Sequence, residues 1–303
     1  MSFVDKLHKR NIIAKPGFNR WLVPPASIAI HLCIGSVYAW SMFNPALVKI
    51  LGVVTSSGDD WSLSQVVWIF SVAIVSLGLA AAYAGKWLEE VGPRMVGFFA
   101  ACCWGGGFLI GALGIYLQEL GVHINISLPF ITSEEISLQI GLYLLYLGYG
   151  VLGGIGLGLG YVSPVSTLIR WFPDRRGMAT GMAIMGFGGG AMIAKFTIDK
   201  LLETFYKAPE YLGTSDAINL ITEGGRRFAE ISGSLVEVVV VAANEVSRMI
   251  VPGDPGVYIV GTGSSGAAET FLFLGIIYFF IINVIFMLLH SIFNYFNGRK
   301  CSY

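Results

Sequence analysis

Six stretches of the chain are apolar over lengths that match a lipid bilayer. A hydrocarbon core of about 30 Å takes roughly 20 helical residues to cross. The stretches run from Trp21 to Val48, Trp61 to Gly85, Met95 to Leu117, Gly141 to Ile169, Gly177 to Ile198 and Thr270 to Phe296. The fifth carries Lys195, and the others contain no Asp, Glu, Lys or Arg. Composition agrees: 55% of the 303 residues are hydrophobic and 13% charged, and the mean hydropathy is +0.70. A water-soluble domain of this length needs more charge to cover its surface. The predicted class is an all-α, multi-pass integral membrane protein with the lipid bilayer as its first partner.

Basic residues predict the sidedness. The amino terminus carries Lys6, Lys9, Arg10, Lys15 and Arg20, the loop after span two Lys86 and Arg94, the loop after span four Arg170, Arg175 and Arg176, and the tail Arg299 and Lys300. Six spans place all four segments on one side, which the positive-inside rule makes cytoplasmic, with both termini inside. The opposite loops lean acidic, with Asp59, Asp60, Glu119, Glu134 and Glu135. The organisation expected is a cytoplasmic segment 1–20, five helices over 21–202, a long extracytoplasmic loop 203–269, a sixth helix over 270–297 and a cytoplasmic tail 298–303. Within the long loop, LVEVVVVAA is too short to span and is split by Glu237, so it reads as an amphipathic helix or a short strand on the outer face. GDPGVYIVGTGSSG has turn chemistry and leads into span six.

The formal net charge is zero, which argues against a nucleic-acid partner. The first residues are polar and basic with no small-residue cleavage site, so span one serves as the insertion signal. Cys33, Cys102 and Cys103 lie in apolar runs and Cys301 in the tail, the placement of packing thiols. No metal-ligand spacing, cofactor motif or nucleotide motif is present. Asn125-Ile-Ser127 is a glycosylation sequon on the external side.

Glycine is abundant, with 39 residues, and it recurs at helical spacing. Gly150, Gly154 and Gly158 in span four, Gly156 and Gly160 beside them, Gly107 and Gly111 in span three, and Gly186 and Gly190 in span five are four apart. Small residues so spaced let helix backbones approach closely in lipid. A phosphate-binding loop would need a preceding soluble strand, which is missing.

Two basic loops carry motifs. GKWLEEVGPR places Gly85, Glu89, Gly92 and Arg94 in the order glycine, acid, glycine, base. That order resembles the signature between helices two and three of the major facilitator superfamily, whose usual acid is Asp. YVSPVSTLIRWFPDRRGMATGMAIMGFGGGA is similar to the helix four to helix five region of the oxalate/formate antiporter family within that superfamily, and GSVYAWSMFNPAL to its first helix. The resemblance covers spans one to five, and span six more loosely. It implies the amino-terminal six-helix half of a major facilitator transporter. In WFPDRRG, Trp171 and Phe172 suit the headgroup level, Pro173 ends the helix, and Asp174 is placed to cap helix five. The resemblance adds a gating role for Gly85, Glu89, Gly92, Arg94, Arg170, Asp174, Arg175 and Arg176, with Glu89 expected to meet Arg170 or Arg175. A topological anchor and turn would use the same residues.

Polar groups inside spans are functional candidates. Ser27, His31, Gly35 and Tyr38 share a helical face, and Tyr143, Gly150, Gly154 and Tyr161 another. A polar, aromatic lining suits a small anion, and the family's site is aromatic-rich, which matches Tyr38, Trp40 and Tyr161. The candidate substrate residues are therefore His31, Tyr38, Trp40, Tyr143 and Tyr161, although local packing would use the same side chains. Lys195 reads as a snorkelling residue near the external interface.

The function implied is alternating-access transport of small carboxylate anions of the oxalate/formate or monocarboxylate type, and no enzymatic activity. A full facilitator has two six-helix halves and binds substrate between them. The expectation is a truncated or half-size member, pairing with a second half or with itself. A regulatory or vestigial membrane protein is the alternative. A rhomboid-like protease would use Ser163 and His290, but GYVSP lacks the small-residue frame around its serine.

Overall fold

The computed structural model describes residue 7 and residues 19–122, 124–126, 136–231 and 233–288. Outside them lie Lys6, Lys9, Arg10, Lys15, Ser127 of the sequon, Glu134, Glu135, His290, and Arg299, Lys300 and Cys301 of the tail. Among the described residues, six helices are long and apolar enough to cross a membrane: α1 (Arg20–Met42), α2 (Leu63–Val91), α3 (Pro93–Glu119), α4 (Ile140–Trp171), α5 (Arg176–Phe205) and α6 (Ala267–Leu288). The chain is an integral, multi-pass membrane protein.

Local chemistry sets the helix ends. Asn19 accepts a hydrogen bond from the Trp21 amide at the start of α1, and Pro24 and Pro25 sit in the first turns, where a missing N–H costs little. Ser62 and Gln65 form a reciprocal capping box on α2. A single residue, Gly92, joins α2 to α3 with φ +94°, a conformation that favours glycine. Two helices depart from α geometry. From Gly35 to Met42, α1 tightens into a 3₁₀ helix, and from Tyr146 to Gly153, α4 widens into a π-helix.

Glycines set the helix crossings. On α4, a methyl group at Gly154 would lie 2.5 Å from Ser76 Cβ and 2.6 Å from the Ala73 carbonyl of α2, and one at Gly158 2.5 Å from the Leu77 carbonyl. Gly107 of α3 meets Gly148 and Gly153 of α4, while Gly105 and Gly275 bring α3 against α6. The α1–α5 crossing is tightest: Gly35 abuts the Phe187 carbonyl, Gly190 the Leu32 carbonyl, and Gly186 the His31 Cβ. An aromatic core fills the bundle centre, where the rings of Trp40, Trp104, Phe108, Tyr149, Phe271 and Tyr278 pack, mostly tilted or edge-on, at 4.4–6.3 Å.

The segment expected as a long loop holds a five-stranded antiparallel sheet. Its strands are β3 (Tyr211–Gly213), β4 (Leu220–Glu223), β5 (Arg226–Ile231), β6 (Ser234–Val241) and β7 (Gly256–Ile259), in the order β3-β7-β6-β5-β4. They follow a small hairpin of β1 (Ile124–Ile126) and β2 (Ile136–Leu138) between α3 and α4. The LVEVVVVAA run is not an amphipathic helix: it forms β6, where β-branched residues alternate between two faces. Val239 and Val241 join Tyr258 and Met249 against Val54 of the α1–α2 connection. Val238 joins Ala229 and Val257 under Leu212, Ile218 and Leu220.

Polar contacts dock the sheet onto the helix ends. Arg226 binds Asp59 (2.7 Å) and Glu237 (3.3 Å), the Gly261 amide donates to the Leu51 carbonyl (3.0 Å), and Ser264 donates to Glu119 (3.0 Å). Asp60 organises the α1–α2 connection by accepting from the amides of Leu51 (2.7 Å), Gly52 (3.0 Å) and Ser57 (2.8 Å). These bonds over-determine a strained residue, Val53, at φ +58°.

Side chains added at the crossings and at open glycines should behave oppositely. Gly190→Leu is expected to destabilise the protein by about 1–3 kcal/mol through overpacking. Gly181→Leu, with nothing within 4 Å of its Cβ position, should stay within about 0.5 kcal/mol of wild type. Thermal unfolding of both variants in one detergent measures the difference.

Candidate functional site

Four helices bring one aromatic group together at the α1–α5 crossing. Tyr38 of α1 lies 6.3 Å from Phe70 of α2 and 5.2 Å from Phe187 of α5. Tyr161 of α4 lies 5.3 Å from Phe187, and both rings meet His31, at 5.6 and 6.2 Å, in edge-on contacts for the imidazole. The crossing glycines make this possible, because a side chain at Gly35, Gly186 or Gly190 would hold Phe187 away. Tyr38 is 51% exposed, whereas His31 and Ser27 are fully buried. Neither imidazole nitrogen, nor the Ser27 hydroxyl, makes a well-formed hydrogen bond.

The structure thus gathers three of the five substrate candidates, His31, Tyr38 and Tyr161. The face predicted for Ser27, His31, Gly35 and Tyr38 turns towards α5, and only Tyr38 reaches an exposed position. Trp40 is a core residue, 3% exposed, 4.4 Å from Tyr149, with its indole N–H donated to the Val66 carbonyl (3.2 Å). Tyr143 is exposed on a different part of α4 and takes no part in the cluster. Its predicted face is broken by the π-helix, so that Gly150 and Gly154 pack on α2 while Tyr161 meets α1 and α5. Phe187 and Phe70 went unnamed in the sequence. The signal for Phe187 was its place as the lone aromatic ring among the glycines of MGFGGG.

Charged contacts occupy the end of the bundle that carries the basic loops. Arg170 donates to Glu89 at 2.9 Å, with both side chains exposed. Asp174 does not cap α5. It receives a two-pronged contact from Arg20 (3.1 and 3.2 Å), while Arg175 stays 3.8 Å away and exposed. The Arg20 guanidinium also lies over the Phe172 ring, 4.9 Å from its centre. Trp171 and Phe172, expected at the headgroup level, are both buried within the bundle, and Phe172 packs 5.2 Å from Trp21. Arg94 is buried and donates to the Met287 carbonyl of α6 (3.1 Å). Arg176 is exposed at the start of α5, and Gly85 has open space around it. Lys195 is exposed ten residues before the end of α5, whose last turns also carry Asp199, Lys200 and Glu203.

A six-helix membrane bundle with glycine crossings, an aromatic cluster at their centre and charged loops at one end has the architecture of a half-transporter. The Major Facilitator Superfamily profile matches residues 31–198, more than half of the chain, and the chain belongs to that superfamily. Its six helices correspond to the amino-terminal half. It is 31% identical over 185 residues to an uncharacterized MFS-type transporter of Escherichia coli, YhjX, covering 61% of this chain and 38% of that protein. It is 27% identical to the oxalate:formate antiporter of Oxalobacter formigenes (57% and 34% of the two chains). It is also 27% identical to human monocarboxylate transporter 11 (61% and 32%). The chain spans about a third of the length of these curated relatives. They are transporters and not enzymes, and the serine of the rhomboid-like alternative, Ser163, is buried with its hydroxyl turned to the Pro93 carbonyl (3.4 Å).

Glu89 and Arg170 should couple weakly. A double-mutant cycle with Glu89→Gln and Arg170→Gln is expected to give about 0–1 kcal/mol, diminishing in high salt, as for other exposed pairs. Cysteines placed at both positions should be joined by a short bis-maleimide in the state seen here.

Proposed function

We propose that this chain supplies the amino-terminal half of a secondary transporter for small organic anions, working by alternating access. The observation that carries the reading is the aromatic cluster itself, held by glycine crossings and opening through Tyr38, in a chain whose relatives include an oxalate:formate antiporter and a monocarboxylate transporter. Tyr38 and Tyr161 offer hydroxyl donors and ring edges to a carboxylate, and His31 stands behind them as a polar group screened from lipid. A second six-helix half would close the path from the other side.

In this reading the basic end is cytoplasmic and the sheet is extracytoplasmic. The Glu89–Arg170 and Arg20–Asp174 contacts, with Gly92 and Arg94, form this half's part of a cytoplasmic latch. Exposed ion pairs suit that role, since a latch has to open at little cost.

Two measurements test the proposal. In cells expressing the chain, a cysteine at Lys86 should react with a membrane-impermeant maleimide only after permeabilisation, and one at Glu223 without it. The opposite pattern overturns the assigned sidedness. In vesicles where the chain supports uptake of oxalate, formate or pyruvate, Tyr38→Ala and Tyr161→Ala should each lower uptake by about tenfold or more, the scale of one lost charged hydrogen bond. Tyr143→Ala should leave it unchanged. Equal uptake in all three variants removes the aromatic cluster from the path.

A further inference from the structure

A cleft of about 700 Å³ lies where the sheet-side ends of α1 and α5 face the segment 247–252. Met42, Leu202 and Ile250 supply apolar walls. The Lys49 ammonium enters from the α1 side, half-buried, and donates to the Arg248 carbonyl at 2.7 Å. Burial lowers its pKa, Glu245 opposes that shift from nearby and Arg248 adds to it, and none of the described carboxylates forms an ion pair with it. A partly desolvated ammonium held by one neutral carbonyl keeps unused capacity for an anion. The Arg248 guanidinium is exposed on the same rim. Of the two acids that line the cleft, Glu203 is already paired with Lys200 (2.8 Å), and Asp199, with Glu245 nearby, balances the two cations.

We propose that this cleft is a capture site for a small organic monocarboxylate, binding its carboxylate through Lys49 and Arg248 and its apolar body against Met42 and Leu202. Segment 247–252, between β6 and β7, lies outside the residues matched by the superfamily profile. The choice of a carboxylate rests on the transporter reading; the site itself requires no transport.

The test uses the full chain in lipid nanodiscs, with pyruvate and butyrate as probes. Titration calorimetry should give saturable binding, weakened about tenfold by Lys49→Gln and by Arg248→Gln and retained by Lys49→Arg. In the unmutated protein, either probe should protect the Lys49 amine from an amine-reactive label, as read by peptide mass spectrometry. Protection of Lys49 needs no variant to fold, so it decides the case if Lys49→Gln is unstable. Absence of saturable binding, or labelling of Lys49 indifferent to both probes, overturns the proposal. Binding that is lost in Tyr38→Ala and kept in Lys49→Gln also overturns it, while leaving the transporter reading intact.

Discussion

Helices in lipid gain nothing by hiding apolar side chains from one another, so this bundle depends on how closely its backbones approach. At the α1–α5 crossing Gly35 and Gly190 face the carbonyl oxygens of Phe187 and Leu32 across the contact. The α2–α4 and α3–α4 crossings repeat the arrangement with Gly154, Gly158, Gly107 and Gly148. The aromatic cluster is a product of this packing. Phe187 can touch Tyr38, Tyr161 and His31 together because the residues around it on both helices have no side chains to intervene.

What was legible in the sequence follows from this. Six spans were readable because hydropathy over a bilayer's thickness needs no tertiary information. The glycine repeats were readable as packing faces because their four-residue spacing holds within a regular helix. The same rule failed where the helix was not regular. The π-helix of α4 shifted the phase between Tyr143 and Tyr161, and no local residue choice announces that shift. Trp40 lies in the core, since an indole in a membrane span reads as readily as core as it does as lining.

The charged loop shows another limit. Arg20 and Asp174 are 154 residues apart, and their pairing depends on α1 and the α4–α5 turn ending side by side. Local rules pointed Asp174 to the nearest helix amino terminus, and the distant guanidinium outcompeted it. The sheet was hidden for a different reason. Short valine-rich segments acquire their meaning only from neighbours, and β6 lies between β5 and β7, which read separately as a charged stretch and a turn-rich stretch. Its docking by Arg226 onto Asp59 spans 167 residues and leaves no mark in either local sequence.

The joint at Gly92 has a mechanical consequence. With one non-helical residue between α2 and α3, there is no slack in the connection to absorb a relative slide of the two rods. Two residues beyond the joint, Arg94 grips the far end of α6 through the Met287 carbonyl. An axial displacement of α2 is therefore handed on to α3 and from there to α6, as force passes through a rigid elbow with a tie-rod attached. Three of the six spans are linked end to end in this way, with Gly92 as the joint between two of them.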